Sequence, residues 1–262
     1  MIYLITALDA EAKAIVEHYR LKRDTSLPYT LYRGEDILLL VTGIGKINTL
    51  MSVSTLLGWR IPERKDILIN IGICGAPSTF EIGEPLLIHQ IIDNGRCYYP
   101  DILYTHTLTE STLTSVESPQ ASTSTFPVDM ESAGVFQAAS RFFKLHQIAF
   151  LKIVSDHFEP HNVTKEGVMA LLKSHIPTVE ILFASLKIIA SVPPLFSEQE
   201  HHRITLWKRH FTIAQGVKLD DALHFFRLKY PTHDIPFPNE DIPHSKRERS
   251  TLHEHFISIL LS

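Results

Sequence analysis

The sequence predicts an α/β fold: a three-layer sandwich with a central, mostly parallel, twisted sheet, followed by a helical C-terminal appendage. Three observations carry this. Short apolar runs such as Ile2–Ala7, Ile67–Ile71 and Ile148–Val154 have the pattern of strands buried on both faces. Segments with helical spacing alternate with them, which is the order of a parallel sheet covered on both sides. After Pro193-Pro194 the strand pattern stops and helical segments joined by proline-rich chain take over. The expected organisation is therefore a main domain over 1–192 and a helical extension over 193–262.

Each element has its own signal. Ile2–Ala7 opens the sheet, Asp9 is a suitable N-cap, and Ala10–Tyr19 reads as a helix. Leu31–Arg33 and Ile37–Thr42 flank Gly34-Glu35-Asp36 as a hairpin. Thr42-Gly43-Ile44-Gly45 leads into a helix over Lys46–Leu57. Ile67–Ile71 runs into a glycine turn, Gly72-Ile73-Cys74-Gly75, and Pro85–Ile92 is a further strand. The stretch 105–125 is rich in Ser and Thr, with a short strand expected over Thr112–Val116. Asp129–Phe143 is expected as one helix, Ile148–Val154 as a strand, and Lys165–Ala190 as one long helix. Beyond Pro194, Glu198–Ala214, Leu219–Leu228 and Lys246–Leu261 read as helices.

Composition narrows the function classes. The 262 residues are 44% hydrophobic and 21% charged, with a formal net charge of -4. This is an ordinary globular balance that does not favour nucleic-acid binding. The two cysteines, Cys74 and Cys97, form no CxxC pair, and the histidines beyond Pro194 have no zinc-ligand spacing, so no metal is expected. The N-terminus lacks a signal-peptide pattern. The apolar run 179–192 is broken by Glu180, Ser185 and Lys187, so no membrane association is expected and a cytoplasmic location is.

The chemistry-bearing residues lie in loops after predicted strands, where open α/β sheets bind ligands. Taken singly, Asp9 and Glu11 suit a helix N-terminus, Gly43 and Gly45 a tight turn, and Asp129, Glu131 and Asp156 helix or strand caps. Taken together, the order and spacing of ALDAE, TGIGK, NIGICGA, VDMESAG and IVSDH resemble the purine nucleoside phosphorylase and methylthioadenosine/S-adenosylhomocysteine nucleosidase superfamily. The resemblance covers about residues 1–190, and VDMESA followed by a strand ending in SD is its most specific part.

That resemblance implies cleavage of a purine–ribose bond, with no cofactor and with homodimeric assembly. It implies Asp156 as the proton donor to the purine N7, with Ser155 orienting it. It implies Glu131 as the acceptor of ribose hydroxyls, Met130 against the sugar face, and Glu11 as the base that activates water. Ile73, Cys74, Gly75 and Gln120 fall at substrate-binding positions. A donor acting near neutral pH needs a buried site.

Phosphate is the alternative nucleophile. The position of the family's arginine-bearing phosphate loop holds ALDAE, and a carboxylate there suits water better than a phosphate dianion; Arg33, Arg60 and Arg96 are the remaining candidates for a phosphate site. Two departures from the family pattern leave the base and the 5′ substituent open. The 94–128 region is short and Ser/Thr-rich, and Ile73 replaces a small polar residue. Methylthioadenosine, S-adenosylhomocysteine and futalosine types all stay open. So does a catalytically silent nucleoside-binding protein, for which the extra C-terminal segment speaks.

Overall fold

The structure is a computed structural model, and it describes residues 1–119, 124–191, 194–238, 243 and 245–262. The chain divides into two compact units, Met1–Val192 and Pro193–Ser262.

In the first unit, β1 (Ile2–Thr6) leads to α1 (Asp9–Tyr19), then to the antiparallel strands β2 (Lys22–Asp24), β3 (Thr30–Arg33) and β4 (Ile37–Val41). Helix α2 (Lys46–Trp59) returns the chain to β5 (Ile67–Gly75). Next come β6 (Pro85–Asp93), β7 (Arg96–Tyr98), β8 (Thr109–Ser115), the two-residue β9 (Val128–Asp129), α3 (Ser132–Ala139) and β10 (Ile148–Asp156). Helices α4 (Lys165–Ser174) and α5 (Ile176–Ala190) end the unit.

Strand alternation builds the layers. On β1, Ile2 and Leu4 join a core with α1, α4 and α5, while Tyr3 and Ile5 join another with α2 and α3. On β10, Ala149, Leu151 and Ile153 share the first core, and Ile148, Phe150 and Val154 the second. A fully buried Leu or Phe stabilises by about 1.5–3 kcal/mol, so these two cores dominate the unit's stability.

The sheet differs from the mostly parallel one the sequence predicts. Strands β4, β1, β5 and β10 are parallel to their neighbours in that order, but β6 pairs antiparallel with β10. Strands β5, β10, β6, β8 and β9 close on one another as a five-strand ring within a ten-stranded mixed sheet. The reason is the short 76–84 connection between β5 and β6. A parallel return needs a crossover of roughly a dozen residues or more.

Three boundaries also differ. Strand β5 continues through the glycine segment that reads as a turn, because Leu151–Val154 pair with Ile71–Cys74. Helix α3 covers less of 129–143 than expected, since Val128 and Asp129 are spent on β9. The expected single helix over 165–190 is broken at His175, with a 52° bend between α4 and α5. Pro177, which has no N–H to donate, fits the first turn of α5 but not a helix interior.

The second unit holds α6 (Glu198–Lys208), α7 (Ile213–Lys229) and α8 (Lys246–Leu261). Helix α6 ends earlier than expected because Thr212 accepts the Gln215 N–H and starts α7. Ser197 and Ser245 cap α6 and α8 in the same way. The unit's core gathers Trp207, Leu223, Phe226, Phe237, Phe256 and Leu260, with the Trp207 ring 5.2 Å from that of Phe256. The buried Arg227 guanidinium donates to Glu200 and to the carbonyls of Pro231 and His233. Among the described residues, no single helix is long and apolar enough to cross a membrane.

Candidate active site

A cleft of about 310 Å³ opens at the carboxyl ends of the parallel strands β1, β5 and β10. Glu11, Ile73, Cys74, Gly75, Met130, Glu131, Ser155 and Asp156 all line it. The predicted site residues thus converge on one place, except Gln120, which lies outside the described residues. Leu8, Ile44, Val116, Pro119, Asp129, Pro160 and Val163 complete much of the wall.

Glu11 is only 2% exposed although it sits in the first turn of α1. Its Oε2 accepts the N–H groups of Ala7 and Leu8 at 2.8 and 2.9 Å, and Oε1 accepts that of Ile73 at 3.0 Å. Glu11, not Asp9, therefore caps the helix start, and it ties α1 to β5. A carboxylate offers about four acceptor positions, so one remains, on Oε1. Burial pushes the Glu11 pKa up, against the three N–H groups and Lys152. The close approach depends on Gly72, where a Cβ would stand 2.8 Å from Glu11 Oε1.

Glu131 is held by the glycine loop. The N–H of Gly45, at φ 98°, donates to Glu131 Oε1 at 2.8 Å. That backbone angle favours glycine. The glycine loop therefore serves a protein carboxylate in this structure. Burial raises the Glu131 pKa to about 7, the nearby Asp129 adds to it, and Lys152 opposes it.

Asp156 ends β10. Its Oδ2 accepts the Ser155 hydroxyl at 2.6 Å, and Oδ1 accepts the Glu159 N–H at 2.7 Å. The turn that brings Glu159 back passes through Phe158 at φ 63°, a left-handed conformation that few non-glycine residues adopt. Cys74 is buried, and burial pushes its thiol well above the usual range, so it is no nucleophile near neutral pH.

Sequence reasoning missed Lys152. It occupies a core-facing slot of β10, its side chain 2% exposed, with Nζ 2.8 Å from Asp129 Oδ2. Burial works to lower its pKa, but the carboxylates of Asp129, Glu131 and Glu11 outweigh it and hold it above the usual lysine value. A lysine inside the apolar run of β10 was the available signal, because a charge is rarely buried without partners. Asp129 also accepts the Ser132 N–H and hydroxyl, at 3.0 and 2.6 Å, which starts α3. Of the arginines considered for phosphate, Arg33 lies against Trp59 and Asp24, and none of the three lines the cleft.

No protein-family model matches the chain, and no curated protein sequence does. Solved structures do match. A 5′-methylthioadenosine/S-adenosylhomocysteine nucleosidase from Streptococcus pneumoniae, bound to a transition-state inhibitor, is 18% identical. The match covers 71% of this chain and 98% of that one, with a TM-score of 0.58. A Helicobacter pylori nucleosidase mutant with 5′-methylthioadenosine in its active site is 13% identical, over 70% and 97%, at 0.56. The Arabidopsis thaliana methylthioadenosine nucleosidase in apo form is 20% identical, over 74% and 96%, at 0.53. The chain therefore has the fold of these nucleosidases.

Proposed function

We propose that this chain is an enzyme of the purine nucleoside phosphorylase/nucleosidase superfamily, an N-ribosyl hydrolase of purine nucleosides with a modified 5′ position. The observation that carries this reading is the convergence of Glu11, Glu131 and Asp156 on one largely apolar cleft at the strand ends. The substrate is of the methylthioadenosine, S-adenosylhomocysteine or futalosine type. Apolar side chains of Leu8, Ile44 and Val163 on the same wall suit an apolar 5′ group.

The reaction breaks the C1′–N9 bond, and its electron pair leaves with the base. Asp156, oriented by the Ser155 hydroxyl, supplies a proton to N7. The Glu131 carboxylate accepts the ribose hydroxyls and offsets the positive charge that develops on the sugar, which Met130 packs against. A water bound at the remaining acceptor position of Glu11 Oε1 attacks C1′ and gives its proton to Glu11. Burial makes Glu11 a stronger base than an ordinary glutamate. Water is favoured over phosphate because the wall carries the carboxylates of Glu11, Glu131 and Asp129 and, among the described residues, no arginine. Homodimeric assembly belongs to the same reading, and light scattering of the purified chain checks it.

The test is release of free base from methylthioadenosine, S-adenosylhomocysteine, futalosine, adenosine and inosine, each with and without phosphate. Release without phosphate is expected, and release only with phosphate would overturn the choice of nucleophile. Asp156→Asn is expected to lower turnover ~10²–10⁴-fold while nucleoside affinity largely survives. An unchanged rate in that variant rules out the donor role.

A further inference from the structure

The tight turn that ends β6 lies outside the cleft wall, yet it grips the two helices that begin there. Asp93 is 6% exposed at the last position of β6, in a hairpin with β7. Its Oδ1 accepts Lys46 Nζ at 2.9 Å, and its Oδ2 accepts Gln137 Nε2 at 3.2 Å. Lys46 is the first residue of α2, and Gln137 lies on α3. Gln137 Nε2 also donates to Tyr98 Oη, at 2.9 Å, on the other arm of the hairpin.

At Gly134 the two helices approach backbone to backbone. A Cβ on Gly134 of α3 would stand 2.5 Å from the Lys46 carbonyl oxygen and 3.3 Å from the Leu50 nitrogen. Next to this contact, the Gly45 N–H at the start of α2 donates to Glu131 Oε1 at the start of α3. Sliding of α2 against α3 would change that 2.8 Å hydrogen bond. The Asp93 hydrogen bond is also the main cause that holds the Lys46 ammonium above the usual lysine range.

We propose that Asp93 is a positioning residue, which clamps α2 to α3 through Lys46 and Gln137 and so fixes the Gly45–Glu131 hydrogen bond. It touches no substrate; it sets where the Glu131 carboxylate stands. What Glu131 then meets, the ribose hydroxyls, rests on the function proposed above.

The first readout needs no turnover. The Gly45 amide resonance is followed in the full chain with wild-type sequence, Asp93→Ala, Lys46→Met, Lys46→Arg and Glu131→Ala. Asp93→Ala and Lys46→Met are expected to move it in the same direction as Glu131→Ala, and Lys46→Arg to leave it near the wild-type position. A folded Asp93→Ala or Lys46→Met protein with an unmoved Gly45 resonance overturns the clamp, and Lys46→Met decides it if Asp93→Ala does not fold. The second readout is kcat on 5′-methylthioadenosine and on its 3′-deoxy analogue. A ~10–10²-fold loss is expected on the first, the size that a displacement of about 1 Å produces, and a clearly smaller loss on the second. Equal losses on both would overturn the link to the sugar. A wild-type chain inactive on both nucleosides would count against the proposed function, while the Gly45 resonance would still decide the clamp.

Discussion

Burial pushes the Glu131 pKa up to about 7, so its protonation state responds to pH near neutrality. If the charged form is the acceptor of the sugar hydroxyls, kcat/KM falls as pH drops through about 7, and Glu131→Gln removes that acid limb from the pH profile. The same shift has a sign in stability. A glutamate whose folded pKa lies above its unfolded value of 4.5 favours the fold below 4.5, and this contribution is lost as pH rises through 7. Glu131→Gln is therefore expected to gain a few degrees in Tm relative to wild type at pH 8–9, and to lose the advantage at pH 4. A Tm difference that does not change over this range would refute the buried, raised glutamate. Lys152 gives the complementary case. Lys152→Met leaves Asp129 and its neighbours without their buried cation, a loss of about 3–5 kcal/mol by denaturant unfolding, and it moves the acid limb to higher pH. At this scale the sequence was informative where a residue sits beside glycine and strand-end motifs, as Glu11, Glu131 and Asp156 do. For Lys152 it offered only a lysine inside an apolar run, and nothing local paired that lysine with Asp129, which belongs to a different strand.

At the scale of elements, two glycines decide how the site is assembled, and they differ in what they face. A methyl at Gly72 meets the far end of the Glu11 side chain at 2.8 Å, whereas one at Gly134 meets the Lys46 backbone carbonyl at 2.5 Å. A side-chain end can turn aside and a packed helix backbone cannot. Gly72→Ala is thus expected to lower kcat ~10²-fold through a displaced Glu11 with a stability loss of about 1 kcal/mol. Gly134→Ala should lose about 3 kcal/mol or more, the upper end for overpacking. Denaturant titration beside steady-state kinetics separates the two, and a larger stability loss at Gly72 would reverse the argument. These contacts also explain what was legible. The runs that became β1, β4, β5 and β10 were readable because strands buried on both faces leave a local pattern. The break between α4 and α5 was readable in principle from Pro177. The ring formed by β6, β8 and β9 was not, because its closure rests on a two-residue strand pairing Val128 with Gly75, a contact with no local signature.

For the whole molecule, the buried clusters of the first unit draw on residues between Ile2 and Ala190, and that of the second on residues between Ile204 and Leu260. Each unit thus has a core and helix caps of its own, the condition for folding by itself. The wall of the cleft runs from Ala7 to Val163, inside the first unit. A chain ending at residue 192 is accordingly expected to unfold cooperatively and, if the proposed function holds, to keep turnover within a few-fold of the full chain. The comparison is between calorimetry of the full chain and of the shortened one. Two transitions in the first and one in the second are expected, since units with separate cores need not unfold together. The 193–262 segment shows how far spacing reaches: its three helices were legible, but the boundary at Thr212, which falls inside the helix expected over Glu198–Ala214, was not. Nor was the buried Arg227 that holds its connector, because the carbonyls it binds belong to irregular chain that no periodicity describes. Arg227→Met tests the independence directly. It leaves those carbonyls and Glu200 without their donor, so the transition of the second unit should fall in temperature while that of the first stays in place. A shift of both transitions together would mean that the chain folds as one cooperative body.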